Sequence, residues 1–201
     1  MKMFTFPQII PFLSKLISNQ NPKWLPKKHG PQQHQVFINF RGEELRYSFV
    51  SYLVYGLRTA GINVFIDKDE QRGEDLAVLF NRIEESKIAL VVFSRRYMES
   101  KWCLDELVKI KECVDEHKLV AIPIFFKVRP CELQELLNQA CENHVNVYET
   151  HVHEKWKLAL QCITSKMGLS LKEKSEEAIF VNKIVDDVKQ RLEKIRDEEA
   201  M

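Results

Sequence analysis

The sequence predicts an α/β protein with three layers, in which helices cover both faces of a parallel sheet of four to five strands. Two observations support this prediction. Short apolar runs alternate with amphipathic stretches from Val36 onward, as expected where each strand is followed by a helix that crosses back over the sheet. The run from Ile88 to Phe93 is continuously apolar, which is typical of a parallel strand covered on both faces.

The first half of this pattern contains two strands and two helices. Residues 36–40 and 62–66 have the short apolar composition of strands. Residues 45–59 repeat apolar side chains every four positions, which predicts an amphipathic helix. We expect a charged loop at 67–75 and a second amphipathic helix at 76–85.

The second half contains further strands joined by mainly helical connections. Ser100 has the short hydroxyl side chain that is preferred at a helix N-cap, so we expect a helix to begin at Lys101. The predicted elements are strands at 88–93, 119–126 and 169–171, helices at 101–117 and 176–194, and an irregular, mainly helical stretch at 131–165.

The charge distribution divides the chain into a leader, a folded domain and a tail. Residues 1–34 contain five lysines, no acidic residue and no regular periodicity, so we expect a basic, disordered leader outside the fold. We expect the folded domain at 35–195 and a solvated acidic tail at 196–201. The apolar part of the leader is too short to be a transmembrane segment.

The composition excludes several classes of function. A formal net charge of +1 creates no field that would favour nucleic acid. The sequence contains five cysteines, an odd number, and no C-x-x-C pair. This pattern fits free thiols in a reducing compartment, so we expect a cytoplasmic protein. No cluster has metal-ligand spacing, so no metal is expected. The fingerprints of Rossmann dinucleotide binding and of P-loop ATPases do not occur.

The order of the elements suggests the flavodoxin-like winding, with strand order 2-1-3-4-5. In that topology ligands bind at the carboxyl ends of strands 1 and 3, where the direction of winding reverses. The candidate site residues therefore lie in the loops after Phe40 and Phe93, with the loop after Ile66 close by.

The loop from Asn39 to Glu44 is the first candidate. Gly42 allows the backbone to approach a ligand closely, and Arg41 is a permanent cation suited to phosphate or carboxylate. The same residues fit a plain turn between strand and helix, with Arg41 in a structural ion pair. The charged loop at 67–75 is either a lid, a partner-binding loop or a solvated connection.

The stretch Ser100–Leu107 follows the third predicted strand. Trp102 and Glu106 are four residues apart and share one helix face, which differs from the face expected to meet the core. A carboxylate and an aromatic ring at this end of the sheet would suit a planar cation. Spacing alone, however, favours an ordinary amphipathic helix with Glu106 exposed.

Several of these stretches, in this order, resemble the plant Toll/interleukin-1 receptor (TIR) domain family. The resemblance is carried by V-F-I-N-F-R-G-E at 36–43, G-I-N-V-F-I-D at 61–67 followed by Arg72-Gly73, V-V-F-S at 91–94, S-K-W-C-L-D-E-L at 100–107 and I-P-I-F-F at 122–126. It extends from about Gln35 to Leu192, and several ordered motifs at the family's spacing make it specific.

The resemblance implies a flavodoxin-like fold, a role in plant innate immune signalling and an NAD glycohydrolase activity, with NAD as the substrate and no cofactor. It implies that Glu106 is the catalytic residue. The residues expected to contact the substrate are Asn39, Phe40, Arg41, Gly42, Glu43, Glu44, Gly73 and Trp102. The sequence contains neither the ATPase nor the leucine-rich repeats usual in the family, which predicts a TIR-only or truncated member. The alternative function is a non-catalytic adaptor that pairs with other TIR domains.

The sequence departs from the family pattern at several positions. Asn39 stands for the usual Ser, and Glu44 for the usual Asp, which are mild changes. Tyr52 replaces the His of a Ser-His pair that the family uses for self-association, and Arg129 replaces an Asp before Pro. The segment 131–142 also departs from the family. Because enzymes of the family assemble to complete their sites, we expect self-association, or pairing with other TIR domains, to be affected.

Overall fold

A computed structural model describes residues 35–66, 76–142 and 150–201. The expectations for the leader at 1–34 and for the loop at 67–75, which includes Gly73, lie outside the described residues. Within the described part of the chain, no helix is long and apolar enough to cross a membrane. That part also contains no group of three or more His, Cys, Asp or Glu residues arranged to hold a metal ion.

Within the described ranges, five parallel strands form one sheet, in the order β2-β1-β3-β4-β5. This arrangement confirms the predicted flavodoxin-like fold and its winding. The pairing of β1 with β3 runs from Val36 opposite Ile88 to Phe40 opposite Val92, which brings the carboxyl ends of these strands side by side. The strands are β1 Val36–Phe40, β2 Val64–Ile66, β3 Ile88–Phe93, β4 Val120–Phe126 and β5 Leu169–Leu171.

Helices cover both faces of the sheet, with short 3-10 turns at Tyr97–Glu99 and Pro130–Glu132. Ser100 caps the fourth helix as predicted, since its hydroxyl oxygen accepts the Cys103 N–H at 3.3 Å. The helices are α1 Gly42–Leu45, α2 Phe49–Thr59, α3 Leu76–Glu84, α4 Lys101–Asp115, α5 Leu133–Glu142, α6 Thr150–Thr164 and α7 Glu177–Glu199.

The alternation of side chains along β1 assigns its residues to two cores. Val36, Ile38 and Phe40 pack in the core that α2 and α7 cover. Phe37 packs in the opposite core, beneath α3, α4 and α6. Because successive side chains of a strand point to opposite faces, the fully buried Asn39 lies on the same face as Phe37, under α4. A polar side chain is thereby placed inside the sheet, at the end where ligands are expected.

Two predicted helix boundaries were wrong. The helix predicted at 45–59 is interrupted between α1 and α2, because the Ser48 N–H bonds to the Leu45 carbonyl at 3.2 Å and the Ser51 N–H to the Ser48 carbonyl at 3.1 Å. These turn bonds replace part of the helical ladder while Leu45 and Phe49 remain buried. The last helix continues to Glu199, whose carboxylate pairs with Lys87, so 195–199 extend the helix expected to end at 194.

Candidate active site

A cavity of about 240 Å³ opens at the carboxyl ends of β1 and β3. This is the edge of the sheet at which the winding predicts a ligand. Its lining comes from β1, α1, the turn before α4 and the first two turns of α4: Ile38, Phe40, Arg41, Gly42, Glu43, Arg46, Glu99, Ser100, Trp102, Cys103 and Glu106. Six of the residues predicted from the sequence are therefore brought together around one space.

Glu106 lies at the base of this cavity. Its relative exposure is only 4%, which corrects the expectation that it lies on an exposed face, away from the core. The neighbouring Asp105 takes a different part, because its carboxylate accepts the Trp156 indole N–H at 2.9 Å and so joins α4 to α6. Of these two acids, Glu106 is the one that faces the cavity.

A buried hydrogen-bond chain, formed by Tyr97, Asn39 and Glu106, fixes the base of the cavity. The Asn39 Nδ2 group donates to Glu106 Oε2 at 2.5 Å. The Tyr97 hydroxyl hydrogen-bonds Asn39 Oδ1 and lies 3.0 Å from the Cys103 carbonyl oxygen. With its oxygen bonded to Tyr97, the amide of Asn39 can present only its N–H₂ side to the carboxylate. The hydrogen-bond chain therefore fixes the orientation of the Glu106 carboxyl group at the base.

Burial raises the pKa of the Tyr97 phenol well above its usual value, and the nearby Cys103 and Glu106 raise it further. The hydroxyl therefore stays protonated throughout the physiological range and remains a donor to Asn39. Asn39 lines no part of the cavity itself. It acts behind the surface as the residue that holds Glu106.

The mouth of the cavity carries an ionic ring of Arg41, Glu43, Arg96 and Glu99. Arg41 Nη2 lies 2.6 Å from Glu43 Oε2 and 3.3 Å from Glu99 Oε2. Arg96 closes the ring, with Nη2 3.0 Å from Glu99 Oε2 and 3.7 Å from Glu43 Oε2. The Arg41 side chain is only 13% exposed, whereas those of Glu43, Arg96 and Glu99 are half exposed or more.

Arg46 and Trp102 complete the walls. The Arg46 guanidinium carbon lies 5.6 Å from the centroid of the Phe40 ring, at a distance typical of a cation–π contact. A side chain at Gly42 would place its Cβ 2.4 Å from Arg46 Nη2, so the absence of a side chain there leaves room for the guanidinium. Trp102 lines the cavity and is partly exposed.

Among the residues that the structure describes, two predicted substrate contacts, Asn39 and Glu44, do not line the cavity. Glu44 does not line the cavity, and its carboxylate accepts a hydrogen bond from the Ser94 hydroxyl, which ties α1 to the end of β3. Gly73 lies outside the described residues.

The sequence interpretation missed Tyr97, Arg46 and Glu99. Tyr97 and Glu99 belong to a 3-10 turn that short-range periodicity does not reveal. The signal for Tyr97 was available in Asn39, because a polar residue inside a buried strand requires a buried partner.

A second surface feature lies away from this site. A groove of about 720 Å³ runs between α2 and α7, with Tyr52 and Tyr55 on its α2 wall and Val181 and Val185 on its α7 wall. Tyr52 is 66% exposed. The other departure from the family pattern, Arg129, lies on an exposed turn, where its Nη2 is 3.1 Å from Glu132 Oε1.

Comparisons with known proteins agree with this architecture. Residues 33–201 match the TIR domain family. The chain is 48% identical over 167 residues to the disease resistance protein RPS4B of Arabidopsis thaliana, an alignment that covers 82% of this chain and 14% of that protein. It is 46% identical over 180 residues to a TIR domain-containing protein of Arabidopsis thaliana, which covers 81% of this chain and 70% of that protein.

Among solved structures, the TIR domains of the activated Roq1 resistosome, which directly recognises the pathogen effector XopQ, superpose with a TM-score of 0.69 at 31% identity. This superposition covers 77% of this chain and 98% of that one. The family match, the sequence identity to plant proteins and the shared fold lead to one conclusion: the chain belongs to the TIR domain family.

Proposed function

We propose that the protein hydrolyses NAD at the bond between nicotinamide and ribose, and that it acts in plant innate immune signalling. The observation that carries the proposal is the position of Glu106, a buried carboxylate at the base of a cavity whose mouth carries the guanidinium groups of Arg41 and Arg46. The free state of all five cysteines suits the reducing environment of the cytoplasm, where we propose that it works.

The chemistry requires one well-placed carboxylate. Nicotinamide is a cationic pyridinium while attached to ribose, and it leaves as a neutral molecule with the electron pair of the broken C–N bond. No acid is needed to protonate it. The ribosyl carbon that remains is positively charged, and an ionised Glu106 beside it lowers the energy of that state. Water then adds to the carbon and releases a proton, which yields ADP-ribose; attack by a group of the substrate itself would yield a cyclised product.

The volume of the cavity supports a proposed placement for the two ends of NAD. Its volume of about 240 Å³ is below the range of pockets that enclose whole cofactors, so it suits only the nicotinamide and its ribose. Trp102, on the cavity wall, offers an aromatic face to the departing ring. The diphosphate would then lie at the mouth, beside the guanidinium groups of Arg41 and Arg46, because such groups match phosphate oxygens in geometry and charge.

The proposal is tested by incubating the purified protein with NAD and following nicotinamide release by chromatography. The matched variant is Glu106→Gln, which keeps the shape of the side chain and an oxygen to accept the Asn39 N–H₂ bond. Alanine is a poor choice because Glu106 is buried and bonded. We expect release by the wild type and a loss of about 10²-fold or more in the variant. Equal release by two equally folded proteins would refute the assignment.

A second candidate function is that of a non-catalytic adaptor that pairs with other TIR domains. The groove between α2 and α7, with its exposed Tyr52 and Tyr55, favours this candidate because it offers an aromatic surface for a partner. Self-association through such a surface is also compatible with the enzyme. The two candidates differ in one respect: the adaptor predicts no nicotinamide release at any protein concentration.

The contribution of Tyr52 is tested by specific activity as a function of protein concentration. If the site needs a second copy, specific activity rises steeply with protein concentration, because a larger fraction of the protein is then assembled. A substitution in a symmetric contact occurs on both partners, so its effect on assembly is doubled. Tyr52→His, which introduces the family's residue, should move that rise to lower concentration. Constant specific activity in the wild type would exclude a site that needs assembly, and an unchanged curve in the variant would show that Tyr52 does not limit it.

A further inference from the structure

At the cavity mouth, the guanidinium group that an anionic ligand would bind, that of Arg41, is already paired with two carboxylates. Arg41 contacts the carboxylates of Glu43 and Glu99 through the same atom, Nη2. Its Nε–H is buried and meets no hydrogen-bond acceptor among the residues that the structure describes. The guanidinium is therefore held by carboxylates on one side only, although it has the geometry to form two parallel bonds with an oxyanion.

The two carboxylates do not hold Arg41 in the same way. Glu43 follows Arg41 on the same segment of chain and lies 2.6 Å from it, so its contact is local and close. Glu99 reaches across the mouth from the 3-10 turn before α4, at 3.3 Å, and it is also bonded to Arg96. The side chains of Glu43 and Glu99 are 68% and 50% exposed, so water can replace a contact of either one with Arg41 at small cost. The longer distance to Arg41 and the close second contact with Arg96 distinguish Glu99. Glu99 is the exchangeable member.

From this arrangement we propose that Glu99 sets the selectivity of the site for phosphate-bearing ligands, by competing with the ligand's phosphate for Arg41. This inference rests on the proposed function, because it takes NAD and its fragments as the ligands. A diphosphate that enters the mouth displaces the Glu99 carboxylate from Arg41, and Arg96 keeps that carboxylate paired. A ligand without phosphate gains nothing from the exchange. Glu99 thus lowers the affinity for ligands that bind Arg41 through phosphate and leaves the affinity for ligands without phosphate unchanged.

The proposal is tested by calorimetric titration of ADP-ribose into the full chain and into Glu99→Gln. ADP-ribose carries the diphosphate and lacks nicotinamide, so its binding does not depend on catalysis. We expect the variant to bind ADP-ribose about threefold more tightly or better, as removal of a partly exposed competing contact predicts. The matched control is Glu132→Gln, which removes the same charge from another i,i+3 ion pair with Arg that does not line the cavity. The affinity of Glu132→Gln for ADP-ribose should equal that of the wild type.

A second titration separates competition for Arg41 from a general change of charge. Nicotinamide riboside is a cation without phosphate, and it is titrated into proteins that also carry Glu106→Gln, so that no bond is broken. If Glu99 competes for Arg41, Glu99→Gln should leave the affinity for nicotinamide riboside unchanged. A general effect of the lost negative charge would instead weaken the binding of nicotinamide riboside as strongly as it strengthens the binding of ADP-ribose.

Equal affinity of Glu99→Gln and the wild type for ADP-ribose would overturn the inference, and so would failure of both to bind it. Weakened binding of nicotinamide riboside by the same factor would also overturn it. If Glu99→Gln gains affinity for ADP-ribose while the wild type releases no nicotinamide from NAD, the proposed hydrolysis fails and the role of Glu99 stands.

Discussion

Both ends of the cavity are held by polar side chains, but those at the base are buried and most of those at the mouth are exposed to solvent. At the base, Tyr97, Asn39 and Glu106 are buried and joined by hydrogen bonds that start inside the sheet. At the mouth, three members of the ionic ring are half exposed or more. Electrostatic interactions are strong where water is excluded and weak where it is present. The base is therefore fixed, and the mouth is exchangeable.

Under the proposed function, this difference suits the two ends of the cavity to different tasks. A carboxylate that stabilises a developing positive charge must be in place before the reaction, since reorganisation during the reaction would cost rate. A site that admits and releases a charged ligand requires contacts that can be replaced. Substitutions at the base should therefore change stability and turnover, whereas substitutions at the mouth should change affinity.

The largest effect is expected for Asn39→Asp. The new side chain has the same shape but places a second carboxylate at the position from which Nδ2 donates to Glu106 at 2.5 Å. Breaking a buried charge contact in this way should cost about 3 kcal/mol of unfolding free energy near neutral pH. Urea unfolding should also show partial recovery at about pH 5, because the folded state retains a shared proton that the unfolded carboxyls release. A variant as stable as the wild type would show that the base is not tightly held.

The next largest effect is expected for Tyr97→Phe. The hydroxyl is lost from a fully buried side chain, which leaves Asn39 Oδ1 without its donor. We expect a loss of about 2 kcal/mol in thermal or urea unfolding, together with slower nicotinamide release because Asn39 is free to rotate. Tyr55→Phe is the matched control, since it removes the same hydroxyl from an exposed position. Equal losses in both variants would contradict the special role of the base.

A smaller effect is expected in alkaline solution. The pKa of Tyr97 is raised in the folded state, mainly by burial, so above about pH 10 the unfolded chain releases a proton that the folded chain retains. Stability contributed by the neutral phenol is complete below that pH and falls as the pH rises, by at most about 1.4 kcal/mol per pH unit. Tyr97→Phe should reduce the slope of unfolding free energy against pH. An unchanged slope would mean that the phenol is less shielded than its burial indicates.

The smallest effect on stability is expected for Arg96→Gln at the mouth. Its ion pairs with Glu43 and Glu99 lie in solvent, where such pairs contribute little to folding. The melting temperature should equal that of the wild type within error, and it should do so in both low and high salt. A clear fall in melting temperature would show that the ionic ring holds the structure together, and the contrast between base and mouth would then fail.

Much of this molecule could be predicted from its sequence. The strand order follows from alternating elements, and the site's location follows from the point where the winding reverses. Ser100 was identified as an N-cap by its side chain alone, and its hydroxyl does cap α4. These features depend on short-range patterns and on topology, which a single sequence contains.

The burial of Glu106 and the ionic ring could not be predicted in this way. Helical spacing predicts that Glu106 lies on a face of α4 other than the one that meets the core. In the structure, β1 presents the polar Asn39 to α4, and the hydrogen bond from Asn39 allows the polar Glu106 to be buried there. The ring depends on where a 3-10 turn carries Glu99 relative to Arg41, which are 58 positions apart in the chain. Contacts of that kind are set by the packing of distant segments.

We propose that the fixed carboxylate at the base performs the chemistry and that the exchangeable carboxylate at the mouth controls entry. Steady-state nicotinamide release, measured against NAD concentration for Glu106→Gln and Glu99→Gln side by side, tests it most directly. We expect a kcat lower by about 10²-fold or more in Glu106→Gln and a lower KM in Glu99→Gln. Wild-type kcat in a folded Glu106→Gln protein, or a loss of kcat in Glu99→Gln as large as that in Glu106→Gln, would contradict it.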